Sequence, residues 1–483
     1  MKTYRVKITQ EDFDELQRLV LSDMPKEAAA FALAGVADHD DGTDIIVRRP
    51  VSIPKDCFSL QHELRLEIAT KAINGLAALC EANGLGAVLC HSHPGNIPYS
   101  ASDDHGEQRI FEVLRRFIPS SAPTGSLLFY PDGVRGRVWL KTSEKPIPIA
   151  EIIILGRQIK RIRPDASSAS DRELNEEMFD RQIRAFGKQG QAMIARSKVG
   201  IVGVGGTGSP TAEQVTRLGV RDLAIIDHDH FESSDITRVY GTFPSGLSPR
   251  RWRSRKTRPN KIDLVVAHLK KINPMARIQA IPKTVIIKDA AAKLLDRDFI
   301  FLCTDNHWSR SVVNQIAYQY FVPTINLGAR IDAKDGAIFG AVGIIDVLRP
   351  DLPCLWCRQF LRADRIAAES MPHSARKSLE REGYVEDIDG HAPSVISITT
   401  TLSGMGVTLF LQMVTDFMGP AGEISRLNYN VMDGTVRRGT STILDECICQ
   451  KVRGFGDLKS LPVLTGQRFP RRLTYLKDAV NGK

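Results

Sequence analysis

Apolar positions in the first part of the chain switch between helical and strand spacing. EDFDELQRLVLSDM repeats its apolar residues every three to four positions and predicts a helix, and DIIVRRPV predicts a strand. HELRLEIATKAINGLAALCEANG predicts a long helix closed by Asn-Gly, whereas GAVLC and GSLLFY are short apolar runs of the kind that form buried strands. Residues 1–150 therefore form an α/β or α+β unit. GRQIKRIRPDASSASDRELNEE then breaks the periodicity, so residues 151–174 are assigned to a linker.

Beyond it the pattern becomes strand, glycine turn, helix, strand. KVGIVGVGGTGSPTAEQVTRLGV is followed by the apolar strands in DLAIIDHD, DFIFLCTDN and PTINLGA, a succession that predicts a Rossmann-like, doubly wound parallel sheet over residues 175–450. Periodicity weakens after Cys449, and residues 451–483 are left as a tail. No internal repeat or low-complexity tract is evident.

Composition sharpens this picture in three places. With 483 residues, 42% hydrophobic and 25% charged, the chain is long enough for two or three folded domains and is not dominated by disorder. The start MKTYRVKITQ lacks the apolar core of a signal peptide, and no stretch holds eighteen uninterrupted apolar residues, so a cytoplasmic protein without a membrane partner is expected. The net charge of +9 gathers in RQIKRIRP (157–164) and PRRWRSRKTRPNK (249–261). Those runs are either solvated loops or docking sites for an acidic partner or nucleotide phosphates. With Trp252 as their one aromatic, they make a poor nucleic-acid surface.

The first candidate chemistry lies in HSHPGNIPYSASDD, residues 91–104. GAVLC runs straight into it, so the strand is expected to continue through the histidines and to turn His91 and His93 to one face. Two imidazoles on one face suit zinc, and a catalytic zinc needs a third ligand, which Asp103 or Asp104 can supply from the start of the following helix. A general base is needed as well.

These residues resemble the JAMM (JAB, MPN-plus) metalloproteases, whose pattern is an upstream Glu, then His-x-His-Pro, then Ser-x-x-Asp. HSHP, Ser100-Ala-Ser-Asp103 and the Glu27 of PKEAAAFALAG match it. The spacer from His93 to Ser100 is one residue shorter than the commonest form. The resemblance implies a cytidine-deaminase-like α/β domain with His91, His93 and Asp103 as ligands of a catalytic zinc. Glu27 would be its acid/base, and Ser100 a donor to the tetrahedral oxyanion.

GIVGVGGTGS follows an apolar strand and opens a helix, the setting in which Gly203, Gly205, Gly206 and Gly208 let phosphates approach a helix N-terminus. About twenty residues on, Asp227 ends the next strand, well placed for ribose hydroxyls. That much also fits a dehydrogenase. From about 175 to 450, FDRQIRAFG, VGVGGTGS, IIDHDHF with DITR, Asn260-Lys261, CTDN and PCLWC occur in the order found in ThiF/MoeB and ubiquitin-activating adenylyltransferases, which this region resembles. The resemblance implies ATP and magnesium as cofactors, Arg238 and Lys261 on phosphates, Asp305 on magnesium and Asp227 on ribose. It also implies a homodimer across which Arg181 reaches.

Cys354-x-x-Cys357 with Cys447-x-Cys449 is similar to that family's structural zinc site, although its second pair departs from the usual C-x-x-C. No cysteine lies between Cys357 and Cys447, where thioester-forming members carry one and where this chain has EREGYVEDIDGHAPSV. Any thioester is therefore expected on another protein, such as a separate conjugating enzyme.

Together the two resemblances imply a bifunctional enzyme of a bacterial-type ubiquitin-like modifier pathway. Its first domain would trim or deconjugate the C-terminus of a ubiquitin-like or sulfur-carrier protein ending in glycine, and its second would adenylate that carboxylate. The alternatives are a sulfur-carrier adenylyltransferase of the thiamin or molybdopterin type, and a modifier-binding scaffold without catalysis.

Overall fold

Period-two alternation organises the N-terminal sheet. Along one strand Ala30, Ala32 and Ala34 enter one core cluster while Ala29, Phe31 and Leu33 enter another, so both faces of the sheet are covered. The computed structural model describes residues 2–141, 143, 145–164, 175–244, 258–371, 375–376 and 393–465. The chain divides into two units, one of residues 1–171 with 318–321 and 452–460, the other of residues 172–317, 322–451 and 461–483.

In chain order the first unit runs β1 (Thr3–Thr9), α1 (Gln10–Leu21), β2 (Ala29–His39), β3 (Gly42–Ser52), β4 (Phe58–Gln61), β5 (Leu66–Ile68) and α2 (Thr70–Asn83). It continues with β6 (Gly86–Ser92), α3 (Ala101–Leu114), β7 (Thr124–Tyr130), β8 (Gly133–Val138), β9 (Ile147–Pro148), β10 (Glu151–Leu155) and β11 (Ile159–Ile162). Nine strands form one sheet in the order β11-β10-β1-β3-β2-β6-β7-β8-β9, and β4 and β5 pair separately. Phe13, Leu16 and Val20 of α1 cover one face, while Leu76 and Cys80 of α2 and Phe111 and Leu114 of α3 cover the other.

Two expectations need correction here. The long helix begins only at Thr70, because Leu64, Leu66 and Ile68 alternate at strand spacing and the segment before it forms the β4–β5 hairpin; the left-handed Gly84 closes the helix as Asn-Gly implies. The linker begins later than 151, because β10 and β11 belong to the sheet. β11 is an edge strand whose charges make it read as loop, and Arg161 and the adjacent Arg163 both pair with Glu151. Residues 165–174 of the linker lie outside the described residues.

The second unit contains α4 (Asp180–Arg196), β12 (Lys198–Val202), α5 (Gly208–Arg217), β13 (Asp222–Ile226), α6 (Lys261–Ile272), β14 (Arg277–Ile281), α7 (Lys288–Ala292) and β15 (Phe299–Leu302). After these come α8 (His307–Gln319), β16 (Thr324–Lys334), β17 (Ala337–Leu348), α9 (Ala363–Glu369), α10 (Ile396–Thr415), β18 (Arg426–Asn430), β19 (Thr435–Arg438) and α11 (Ile448–Val452). Its sheet order is β14-β13-β12-β15-β16-β17-β18-β19.

The first five of these strands are parallel, as the sequence pattern implies; the last three are antiparallel, so the sheet is mixed. The missed signal is Asp335-Gly336, both at positive φ, which turns β16 directly into β17. By length and composition α10 is apolar enough to cross a membrane, but half of that window is buried inside the protein, as in a core helix.

Part of the tail has a defined place. Residues 452–460 belong to the first unit: Arg453 reaches Asp12 at 2.7 Å, Arg48 and Arg453 each donate to the other's carbonyl, Asp457 accepts from the Asp38 amide at 2.7 Å, and Phe455 enters the core. This packing needs Gly35, where a Cβ would stand 2.2 Å from the Gly454 carbonyl oxygen and 2.4 Å from that of Phe455. Gly35→Ala is expected to destabilise the protein by about 1–3 kcal/mol through overpacking. Gly75→Ala, in α2 with nothing within 4 Å, should be neutral or stabilising by up to about 1 kcal/mol. Chemical denaturation of the two variants checks the difference.

Candidate functional site

Strand register builds the first site. β2 and β6 are antiparallel with Ala29 opposite His91, so Glu27 falls opposite His93 just past the ladder. The Ser92 amide donates to the Ala28 carbonyl at 3.1 Å and the Ala28 amide to the Ser92 hydroxyl at 3.1 Å, locking that register. β6 ends at Ser92, and the His93 amide makes one further bond, 3.1 Å to the Phe129 carbonyl. By alternation Glu27, His91 and His93 share the face covered by α2 and α3.

α3 supplies the carboxylate. Ser100 caps this helix: its hydroxyl and its amide each donate to Asp103 Oδ2 at 2.7 Å, and the Asp103 amide donates back to the hydroxyl at 3.2 Å. The capping box turns Asp103 to the histidines, 3.6 Å from His91 Nε2 and 3.6 Å from His93 Nε2. Asp104 points elsewhere and pairs with Arg137 at 2.5 Å. Glu27 lies 3.6 Å from His93 Nε2.

The donor set fits zinc. His91, His93 and Asp103 bring ligand atoms within 4.8 Å of one another, and neither nitrogen of the buried His91 finds a hydrogen-bond partner. Ligands about 2.1 Å from a tetrahedral zinc stand about 3.4 Å apart, close to the separations seen. Burial pushes His91 down to about 4, with His93 and Arg137 acting the same way against Asp103, which leaves the neutral imidazole a metal requires. Burial, then the Asp103 charge, lifts Glu27 to about 7. The Ser100 hydroxyl donates to Asp103, so its proton serves the cap and not the oxyanion role implied by the sequence.

Side chains that the sequence did not single out stand behind this cluster. Tyr99 packs its ring against His91 at 5.8 Å, and the buried Glu107 and Arg137 pair at 2.9 Å. They are separated in sequence and carry no spacing signal, so only the fold assembles them.

The second site forms where β12, β13 and β15 end side by side. Gly203, at φ 89°, turns the chain out of β12, and α5 starts at Gly208, where a Cβ would stand 1.8 Å from the Gly203 carbonyl oxygen. A Cβ at Gly205 would meet nothing within 4 Å, and one at Gly206 would come 3.1 Å from Ser394 Oγ. Asp227 follows β13, and its buried carboxylate accepts from the amides of Val204 and Asp229, both at 2.8 Å, tying the glycine loop to the strand end.

Lys261, buried at the start of α6, lies 3.2 Å from Asp229 and 3.7 Å from Asp235. Burial disfavours its charge, but Asp227, Asp229 and Asp235 outweigh burial and hold it protonated above its usual range. Arg238 pairs with Asp235 at 3.2 Å. Asp305 is exposed in the loop between β15 and α8, and Glu369 covers the first amides of α8, accepting from His307 at 2.9 Å and Trp308 at 2.7 Å. Arg181 lies exposed in the first turn of α4.

The four cysteines converge despite the irregular spacing of the second pair. Sγ separations are 3.7 Å for Cys354–Cys357, 3.5 Å for Cys354–Cys447 and 3.7 Å for Cys357–Cys449, against about 3.8 Å for thiolates around a tetrahedral zinc. The donor set fits a structural zinc. Residues 249–257 of the second basic run and 380–392 of the crossover segment lie outside the described residues.

A glycine loop between strand and helix, an aspartate at the next strand end and a buried lysine beside it define a nucleotide-binding α/β unit. The ThiF family model matches residues 179–447, more than half of the sequence, and the chain belongs to that family. It is 25% identical over 219 residues to the adenylyltransferase and sulfurtransferase UBA4 of Candida glabrata, covering 43% of this chain and 46% of that one. It is 27% identical over 255 residues to ubiquitin-like modifier-activating enzyme 5 of Drosophila virilis, covering 50% and 55%. The chain thus spans about half the length of the curated relatives it matches. Among solved structures, E. coli MccB with ATP aligns at a TM-score of 0.43 and 14% identity, covering 58% of this chain and 75% of that one.

Elemental analysis of the purified chain should find zinc at both clusters. Cys354→Ser with Cys447→Ser is expected to lose one share and His91→Ala the other; an unchanged zinc content in either variant contradicts the corresponding assignment.

Proposed function

We propose that the second unit adenylates the C-terminal carboxylate of a small ubiquitin-like or sulfur-carrier protein. The observation that carries this reading is the gathering of the glycine loop, Asp227, Lys261 and Asp305 around the ends of β12, β13 and β15 in a chain of the ThiF family. The names of the relatives, an adenylyltransferase and sulfurtransferase and a modifier-activating enzyme, support the same class.

The carboxylate oxygen attacks the α-phosphorus of ATP, the bond from that phosphorus to the β-phosphate bridging oxygen breaks, and pyrophosphate leaves with the bond electrons. Charge grows on the phosphate oxygens, and the cations Lys261 and Arg238 answer it. Asp227 holds the ribose, and the glycine-loop amides at the start of α5 meet the phosphates. Asp305 is the residue that would hold magnesium, which supplies further neutralisation. In this reading Arg181 acts across a homodimer, and a thioester, where one forms, is carried by a separate conjugating enzyme, since 358–446 holds no cysteine.

A specific observation favours a second activity in the first unit, a JAMM-type zinc (iso)peptidase acting on the same carrier. Glu27, His91, His93 and Asp103 converge, with burial favouring the neutral His91 imidazole and lifting the Glu27 carboxyl to about 7. Zinc there would lower the pKa of a water and polarise a carbonyl. Glu27 would take a proton from the attacking water as its oxygen bonds to the carbonyl carbon, and would return it to the leaving nitrogen as the C–N bond then breaks. Residues exposed by this cut would feed the adenylation step in the cytoplasm.

With the carrier, ATP and magnesium, the chain should catalyse ATP–pyrophosphate exchange, and Asp305→Ala or Lys261→Ala should lower its rate by about 100-fold or more. Unchanged exchange in both variants would remove these residues from the mechanism. Separately, Glu27→Ala should abolish cleavage of a carrier bearing a C-terminal extension while zinc stays bound; retained cleavage excludes Glu27 as the proton carrier.

A further inference from the structure

The first site has a second layer that neither reaction uses directly, and it centres on Arg137 of β8. The guanidinium is buried and makes three kinds of contact. Its Nη1 donates to Asp104 at 2.5 Å, its Nε donates to Glu107 at 2.9 Å, and its carbon stands 3.7 Å from the centre of the Tyr99 ring. Two of these contacts lie beside proposed zinc ligands. Asp104 adjoins Asp103 in the first turn of α3. Tyr99 adjoins the Ser100 cap and meets His91 at 64° with ring centres 5.8 Å apart. Glu107, 1% exposed, also accepts from Trp139 Nε1, and Ser126 donates to the Tyr99 hydroxyl at 3.2 Å.

A buried ion pair is a poor way to gain stability, because desolvating both charges offsets much of their attraction. It does fix geometry, and a planar, multiply bonded guanidinium does so better than any other side chain. We propose that Arg137 is a positioning residue for the His91, His93 and Asp103 centre: it ties the first turn of α3 to β8 and holds Tyr99 against His91, keeping the ligand atoms convergent for zinc. The inference rests on reading that cluster as a zinc site.

Four variants of the full chain test it by competition titration of zinc against a chelator, with the four-cysteine cluster of the same molecule as internal control. Arg137→Met combined with Glu107→Leu removes the two buried charges together, so the one partner left without its arginine is the half-exposed Asp104. Expected is a loss of about 10–100-fold in affinity at the histidine centre, the usual effect of removing an outer-layer partner, with the cysteine cluster unchanged. Arg137→Lys, which keeps the charge but loses the planar fork, should weaken zinc as well, and it carries the test should the double variant fail to fold. Tyr99→Leu should weaken zinc, whereas Tyr99→Phe, which keeps the ring, should not. In cobalt-loaded protein the visible bands of the histidine centre should shift in the Arg137 and Tyr99→Leu variants. Wild-type affinity and spectrum in Arg137→Lys and Tyr99→Leu would overturn the inference while leaving the zinc reading intact. Absence of any wild-type zinc that His91→Ala removes would overturn both.

Discussion

Both candidate sites depend on one constraint, the common ending of adjacent strands in a buried sheet. Parallel neighbours finish together, and the loops that leave them are held apart by a fixed inter-strand spacing while their backbone is free of the ladder. In the second unit this puts the glycine loop, Asp227 and the Thr304–Asn306 turn at one edge. In the first, β6 and β7 run parallel, and antiparallel β2 starts where β6 ends, so Glu27, two residues before β2, falls beside His93. Precision at the sites comes from backbone hydrogen bonds laid down a few residues away.

The two sites balance burial and charge in opposite ways. Around Lys261, three aspartates outweigh the cost of burying a cation and keep the lysine charged. Around His91, burial prevails and the imidazole is kept neutral, as a metal ligand must be. Beside it, burial and then the Asp103 charge lift the Glu27 carboxyl to about 7. The cysteine cluster belongs to neither pattern: its sulfurs converge, with separations of 3.5–3.7 Å for Cys354–Cys357, Cys354–Cys447 and Cys357–Cys449.

Most of this was legible in the sequence where local chemistry and periodicity agree. The glycine turn after an apolar strand, the Asp227 strand end and the cysteine pairs carry their meaning in short spacings. His91 and His93 do so through period-two alternation. The choice of Asp103 over Asp104 was not legible from the residues alone, because either reaches from a helix start; the Ser100 capping box decides the direction. The β4–β5 hairpin was hidden inside a segment that also fits a helix, and β11 inside a charged run that reads as linker. The antiparallel half of the second sheet hung on one Asp-Gly turn. Arg137, Glu107 and Tyr99 were invisible because residues from α3, β8 and a loop meet only in three dimensions.

The central claim is that a carrier carboxylate attacks the α-phosphorus of ATP, and isotope transfer tests it most directly. A carrier protein whose C-terminal carboxylate is labelled with oxygen-18 is incubated with the chain, ATP and magnesium, and the acyl group is then captured by an added nucleophile. The account predicts AMP carrying one labelled oxygen and unlabelled pyrophosphate. Unlabelled AMP, or labelled inorganic phosphate with ADP, would mean that the carboxylate does not attack the α-phosphorus, and would contradict it.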